Sequence, residues 1–325
     1  MLVDLTLFLE DKEENMPLDI SCDLFSNCPS LTGLSWGPGF GPSTNQHLLA
    51  WGQIRMLHLY FTDIFDSLRG VTLGANIERL GLYHCSGEST SPLPLPGVTK
   101  LSITATLTDE AYCPFKYLTL RRLSSLDISR GPRYNVGYYA GGEIWKDWDE
   151  TPIRDFFDRS GCTLTLLSLR GVLISDEQLI QLLRLMPALS SLRLQEFFGD
   201  QDVITNRTVT RRFLQKLTVD NTSSPLLPKL TEIFLVLHED GLADTVLPHA
   251  VISRWVPDSS QLELACIKSV AVVFANESEE TIEGLTLRLR SLKERGVWVS
   301  VGSVEVVTVD VEDAEDAEDV EDEAS

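Results

Sequence analysis

An α/β solenoid, a curved stack of strand-and-helix units, is the fold that the sequence predicts. One reason is a pattern, apolar-x-x-apolar-x-apolar, that recurs ten times along the 325 residues. The other is its spacing. Successive copies start 29, 23, 23, 21, 25, 41, 25, 41 and 37 residues apart, and six of these nine intervals fit leucine-rich repeats, which take about 20–29 residues. We therefore predict a leucine-rich-repeat solenoid over residues 1–304, followed by an acidic tail over 305–325.

The ten copies share three apolar positions. They are Leu2-Leu5-Leu7, Leu31-Leu34-Trp36, Ile54-Leu57-Leu59, Ile77-Leu80-Leu82, Val98-Leu101-Ile103, Leu123-Leu126-Ile128, Leu164-Leu167-Leu169, Leu189-Leu192-Leu194, Leu230-Ile233-Leu235 and Ile267-Val270-Val272. The second and third positions are two residues apart, so they point to one side of a short strand. We expect that side to face the interior. Because one repeat cannot bury its own apolar face, the copies must stack into one parallel sheet.

Helices are expected to close the units on the convex side. The clearest one follows Ser175, which has the capping-box spacing to Gln178, and it is stopped by Pro187. Other helices are predicted near residues 152–159, 208–217, 242–255 and 279–295, with Gly296 at the end of the last one. Residues 297–304 are predicted to form a final strand.

Charge is unevenly distributed along the chain. The formal net charge is -21, and residues 305–325 hold 11 acidic side chains and no Lys or Arg. Such a run of like charges cannot bury a core, so we predict a disordered tail. The first 304 residues keep 37 acidic against 27 basic side chains. This balance argues against a DNA-binding or RNA-binding protein, because phosphate contacts need clustered Lys and Arg.

The sequence lacks the motifs that mark common metal, catalytic and nucleotide-binding sites. The five histidines form no H-x-x-x-H or H-E-x-x-H motif, and the six cysteines form no C-x-x-C pair, so we expect reduced thiols and no metal. No G-x-S-x-G, P-loop or dinucleotide fingerprint occurs. We expect a protein that is not an enzyme and has no catalytic residue and no cofactor. The apolar start is too short and too acidic for a signal peptide, and no stretch reaches transmembrane length, which favours a cytoplasmic or nuclear monomer.

A concave strand face is the surface on which we expect a protein partner. The candidate residues on it are His58, Tyr60, Arg79, Tyr83, Lys100, Asp127, Arg170 and Arg193. Tyr and Arg are favoured at protein interfaces, although the same side chains could simply be solvated strand residues.

An aromatic and glycine-rich insert over residues 130–149 interrupts the repeats. Its candidate partner-binding residues are Tyr138, Tyr139, Trp145 and Trp148. A loop of this length is rarely only a connector, so the insert could form one wall of the binding site. Alternatively, its aromatic side chains fold back and cover the solenoid edge.

Four segments carry a resemblance to a known family. Residues 160–172, 175–194, 226–233 and 289–297 resemble fungal, basidiomycete-type F-box proteins with C-terminal leucine-rich repeats, and the similarity covers most of residues 20–300. The resemblance implies a substrate-recognition role. In that family an N-terminal F-box docks the adaptor of a cullin-type ubiquitin ligase, and the repeats hold the protein to be ubiquitylated.

This sequence shows no F-box, because residue 1 already lies in a predicted repeat strand. An adaptor is therefore expected as a partner only if an F-box lies upstream of Met1. The alternative is a stand-alone leucine-rich-repeat scaffold that binds basic proteins through its acidic tail.

Overall fold

A parallel sheet of eleven strands runs through the computed structural model. The structure describes residues 2–7, 28–37, 51–69, 76–131, 145, 148–196, 208–220, 224–237, 246–255, 264–275 and 278–304. The strands of the sheet are β1 Asp4–Leu7, β2 Gly33–Trp36, β3 Met56–Tyr60, β4 Arg79–Tyr83, β6 Lys100–Ala105, β8 Ser125–Arg130, β9 Leu166–Arg170, β10 Ser191–Gln195, β11 Glu232–Leu237, β12 Ser269–Ala275 and β13 Trp298–Val304. Two short strands, β5 Leu93–Pro94 and β7 Leu118–Thr119, pair separately. The predicted tail, 305–325, lies outside the described residues.

The sheet confirms the predicted strand order and register. Every neighbouring pair is parallel and the strands follow one another along the chain. Leu57, Leu80 and Leu101 occupy one row, which continues through Leu126 and Leu167. This row is buried because it faces the helices, and the three apolar positions of nine of the ten copies are all buried.

The first copy differs from the other nine. Leu2 is 42% exposed, and Leu5 and Leu7 are only partly buried. Their strand, β1, is the last in the sheet on that side, so among the described residues no further unit covers it.

Seven α-helices are present in the described part of the chain. They are α1 Ile64–Arg69, α2 Thr108–Tyr117, α3 Thr151–Ser160, α4 Asp176–Arg184, α5 Arg211–Leu217, α6 Val246–Ile252 and α7 Glu279–Glu294. Helices α4, α5, α6 and α7 pack in succession, and α7 lies against β13. Helix α4 begins with the predicted capping box, since Ser175 Oγ accepts the Gln178 N–H and the Gln178 side chain accepts the Ser175 N–H.

The sequence did not predict helix α2, which contains Pro114. An internal proline normally breaks a helix, which hid this one. Its first turn is held by Glu110, whose carboxylate accepts the backbone N–H groups of Thr106 at 2.8 Å and Leu107 at 3.1 Å. A carboxylate in this position also complements the positive end of the helix dipole.

A ladder of hydroxyl groups joins consecutive units at the start of the strands. In each rung a Ser or Thr that follows the first apolar position donates its hydroxyl to the equivalent carbonyl of the preceding unit, at 3.1–3.2 Å. The rungs run from Thr99 to Glu78, Ser124 to Thr99, Thr165 to Ser124, Ser190 to Thr165 and Thr231 to Ser190. The units are therefore hydrogen-bonded to one another in the same way.

Arg254 is a buried arginine that holds the chain near the end of α6. Its residue is 1% exposed, and its guanidinium donates to the carbonyls of Leu217 at 2.7 Å, Leu227 at 3.0 Å and Leu226. Burial lowers the pKa of this guanidinium to about 10. Three carbonyls thus replace the water that the charge lost, because a buried cation must be compensated.

Candidate protein-binding face

The side of the sheet opposite the helices carries the candidate residues. We call it the open face, and on β3 to β10 it consists of the strand residues that alternate with the buried apolar ones. Four of its small residues, Gly81, Ser129, Ser168 and Ser191, are themselves buried. Its side chains form three rows across the sheet. The rows are Met56, Arg79, Lys100, Ser125, Leu166 and Ser191; His58, Gly81, Ser102, Asp127, Ser168 and Arg193; and Tyr60, Tyr83, Thr104, Ser129, Arg170 and Gln195.

Three aromatic side chains on β3 and β4 form a platform. The rings of Tyr60 and Tyr83 are stacked, with centroids 4.4 Å apart and planes 8° from parallel. His58 meets Tyr83 edge-on at 5.6 Å. Gly81 makes room for them, since a Cβ there would lie 2.8 Å from His58 and 2.9 Å from Tyr83. The sequence predicted the three aromatic residues but not the role of this glycine.

The platform is uncharged at neutral pH. Burial lowers the pKa of His58, and the charge of Asp4 opposes this shift. Burial also raises the pKa of both tyrosines, and for Tyr83 the nearby Asp127 raises it further. Neutral rings with hydroxyl groups can stack on a partner and still form hydrogen bonds, which is why Tyr is frequent at interfaces.

A bidentate ion pair lies beside the platform. The Nη2 group of Arg170 is 3.1 Å from Oδ1 and 3.0 Å from Oδ2 of Asp127, and its Nε is 3.3 Å from Oδ1. Half of the Arg170 side chain is exposed, so solvent screening leaves the pair little effect on stability. Its consequence is geometric, because two parallel hydrogen bonds fix the plane of the guanidinium.

A hollow of about 160 Å³ opens next to this ion pair. Its lining residues are Asp127, Ser168, Arg170, Arg193, Leu194, Gln195 and Phe234. Arg193 is exposed and forms no ion pair within the described part of the chain. Phe234 is 37% exposed, which is unusual for a phenylalanine in a central strand. The prediction had omitted Phe234 and Gln195, although their strand register places them beside Arg193.

Arg79 and Lys100 form the remaining part of the predicted set. They are register partners on β4 and β6, both are exposed, and neither has an ion pair among the residues that the structure describes. The structure therefore places all eight predicted strand residues on the same face, with Arg79 close to the platform and Arg193 in the hollow.

The insert tryptophans are not on the open face, which corrects the prediction for Trp145 and Trp148. Their residues are 4% and 5% exposed and they stack on each other at 6.3 Å. The Trp145 indole N–H donates to the hydroxyl of Tyr112 at 3.2 Å, and that hydroxyl also accepts the Asp149 N–H at 2.6 Å. Because an indole has a large apolar area, Trp145 packs against Tyr112 of α2, as the alternative of an insert folded back on the solenoid predicts. Tyr138 and Tyr139 lie outside the described residues.

A second polar cluster lies buried at the carboxyl ends of β4 and β6. His84 Nδ1 is 3.3 Å from the Glu110 carboxylate, and the ring of Phe61 stacks on the imidazole at 5.0 Å. Gly131 packs so closely that a Cβ there would lie 2.4 Å from His84. The backbone of His84 is in the left-handed region, with a φ of 53°. His84 and Glu110 are buried and join two units, whereas the Phe61 ring over them is 40% exposed.

The described cysteines are not candidates for catalysis. Cys85, Cys113, Cys162 and Cys266 are free thiols, and burial raises the pKa of Cys85 to about 11 and of Cys113 to about 12. These two thiols are therefore poor nucleophiles at neutral pH. Within the described residues, no group of three or more His, Cys, Asp or Glu is placed to hold a metal ion. No described helix is long and apolar enough to cross a membrane.

Comparison with known proteins does not indicate a function, so the functional argument rests on the open face. A search against protein families, curated proteins and solved structures finds no match for this chain.

Proposed function

We propose that this protein is a leucine-rich-repeat solenoid that binds another protein through its open face. The observation that carries the proposal is the uncovered face of β3 to β10. It brings together, from strands far apart in sequence, an aromatic platform, a fixed ion pair and basic side chains that have no ion pair among the described residues. The uniform register and the repeated hydroxyl ladder support the repeat assignment, since equivalent units stacked on one another form equivalent hydrogen bonds.

The size of this surface favours a macromolecule. From β4 to β10 it spans five strands, about 19 Å at roughly 4.8 Å per strand. The hollow of about 160 Å³ is smaller than small-molecule pockets, which hold about 300–1,000 Å³. Tyr and Arg, which dominate binding energy at protein interfaces, are the residue types concentrated here.

The finer proposal is that the repeats select proteins for a ubiquitin ligase of the F-box type in the cytoplasm or nucleus. It rests on the similarity of residues 160–172, 175–194, 226–233 and 289–297 to F-box proteins with leucine-rich repeats. The second candidate is a stand-alone scaffold for basic proteins, which the 11 acidic side chains of residues 305–325 favour.

Photo-crosslinking from single positions tests where the partner binds. A photoreactive phenylalanine analogue replaces Ser102 on the open face in one variant and Glu283 on α7 in the control, and both are incubated in an extract of the source cells. We expect one discrete protein linked from Ser102 and absent from Glu283. A partner linked from Glu283 alone contradicts an open-face site.

The identified partner then separates the two finer candidates. A ligase role predicts a longer half-life of the partner in cells that lack this protein, measured after translation is blocked. The scaffold role predicts that the Ser102 crosslink disappears when residues 305–325 are removed, with the half-life unchanged.

A further inference from the structure

The open face differs in charge from the rest of the protein. On β3 to β10 its charged side chains are four basic ones and one acidic one, namely Arg79, Lys100, Arg170, Arg193 and Asp127. The other residues up to position 304 carry 36 acidic and 23 basic side chains, since the first 304 hold 37 and 27. A basic strip thus crosses the middle of an acidic protein.

In the hollow two basic side chains, Arg170 and Arg193, face one acidic side chain. Among the described residues, Asp127 is the only acidic side chain in its lining, and both of its oxygens already accept from Arg170. A guanidinium has five N–H donors, so Arg170 keeps donors free on its Nη1 group. Arg193 lies on β10, the strand next to that of Arg170, and forms no ion pair among the described residues. Two cations and one carboxylate leave the hollow with a net positive charge.

The residues around the hollow suit the parts of a peptide that flank a bound carboxylate. Phe234 presents a partly exposed ring at one side and Gln195 offers an amide at another. Tyr83 is near enough to Asp127 and Arg170 for their charges to act on its hydroxyl. One strand, β6, separates the platform on β3 and β4 from Asp127 on β8. Arg79 on β4 and Lys100 on β6 add basic side chains along the starts of these strands.

We propose that the open face binds an acidic peptide segment of its partner, with one carboxylate side chain seated in the hollow between Arg170 and Arg193. The inference rests on the proposed function and names the partner's chemistry. Neighbouring residues of the segment lie over the platform, and further acidic residues pair with Arg79 and Lys100. Arg is suited to this role because its fork of donors matches the two oxygens of a carboxylate.

A nucleic acid is a poorer occupant of the same strip. Four basic side chains neutralise few phosphates, and the surrounding acidic surface repels a long polyanion. A peptide places its acidic residues only where the strip is, so charge complementarity favours it.

Fluorescence anisotropy with a defined probe tests the proposal on the full chain. The probe is a labelled peptide of about twelve residues in which Glu alternates with Ala, a length that spans the strip when extended. The matched neutral probe has Gln in place of every Glu. We expect the acidic probe to bind and the neutral probe to bind at least about tenfold more weakly, because each lost charge-assisted contact removes a large part of the affinity.

Three variants test which residues bind the acidic probe. Their expected effects on its affinity differ in direction. Arg193→Ala should weaken binding of the acidic probe about tenfold, since it removes the unpaired cation. Asp127→Asn should strengthen binding, because it removes the competing carboxylate and frees Arg170. Arg184→Ala, at the end of α4, should leave binding unchanged. Residues 305–325 are present in every variant, and their acidic groups compete with the probe in all of them.

The outcomes that overturn the proposal are distinct. Equal binding of the neutral probe, no effect of Arg193→Ala, weaker binding of Asp127→Asn, or no binding up to about 1 mM each contradicts it. Equal competition by a twelve-nucleotide DNA strand indicates a general polyanion site and also rejects it. A crosslink from Ser102 to a partner combined with any of these results leaves the proposed function standing and rejects the acidic segment alone.

Discussion

The two faces of the sheet are made from the same strands but follow different rules. In β10, Leu192 and Leu194 are buried and continue rows of Leu, Ile and Val across the sheet. Arg193 and Gln195, their chain neighbours, belong to rows in which almost every member differs. The packed rows must repeat because each unit covers the next, whereas the open rows contact solvent and are free to vary. Uniform rows therefore reflect packing, and the proposed binding site lies in the rows that vary.

Trp145→Ala is the change from which we expect the largest loss of stability. It removes a buried indole and its hydrogen bond to Tyr112, and a truncation of this size costs about 3–5 kcal/mol of the free energy of unfolding. Urea unfolding followed by circular dichroism measures it. Phe61→Ala, a partly exposed aromatic, is the control and should lose much less. If Trp145→Ala leaves the free energy of unfolding nearly unchanged, the Trp145 side chain is not buried as described.

Leu192→Ala tests the packed face of a single strand. The side chain is fully buried, so the substitution should cost about 2–5 kcal/mol and lower the melting temperature. The same thermal scan on wild type and variant measures it. If the melting temperature stays unchanged, the row is not packed as described.

Arg254→Met asks whether a buried cation can stabilise the fold without an acidic partner. Methionine keeps most of the volume but leaves the carbonyls of Leu217 and Leu227 without their donor. A buried acceptor left unsatisfied costs about 1–3 kcal/mol. Chemical unfolding measures the loss, and increased stability would show that the desolvation cost of the charge outweighs its hydrogen bonds.

Arg193→Ala sharpens the comparison because it changes the open side of the same strand as Leu192. Its side chain has no ion pair among the described residues, so the free energy of unfolding should change by about 0.5 kcal/mol or less. Affinity for the acidic probe should still fall. A melting temperature as low as that of Leu192→Ala would contradict the separation of the two faces.

The smallest expected effect is a pH dependence of stability that comes from His58. Burial lowers its pKa in the folded protein below the ordinary value of about 6.5, so the unfolded chain binds this proton more readily. Stability should therefore fall as the pH drops through about 6.5. His58→Gln should reduce that loss when unfolding is measured at about pH 7.5 and about pH 5.5. An equal loss in both proteins would mean that His58 does not contribute.

Two of the helices show the limits of what the sequence could predict. Helix α4 was predicted because its signals are local, with Ser175 capping and apolar residues at helical spacing. Helix α2 was missed because Pro114 is an unfavourable local signal, which the contacts of Glu110 and the packing of α2 on β6 and α3 override. A local rule fails where neighbouring units supply the compensation.

The insert shows the same limit for the candidate site. Its aromatic composition left open whether the side chains bind a partner or fold back on the solenoid. The ring and hydroxyl of Tyr112 on α2 provide a buried place for Trp145 that no local pattern reveals. Gly81 and Phe234 were missed for a related reason, because their importance depends on the residues across the strands from them.

The sequence by itself determined the parallel sheet, its strand order and the alternation of packed and open side chains. The alternation follows from the two-residue period of a strand, and the sheet and its strand order follow from the motif that recurs along the chain. Only the tertiary structure decided which open-face residues meet. The pairing of Asp127 with Arg170, the exposure of Arg193 beside Phe234 and the stacking of Tyr60 on Tyr83 join residues that lie 23 to 43 positions apart. Such contacts depend on how units of unequal length stack in register, which the spacing of the motif alone does not encode.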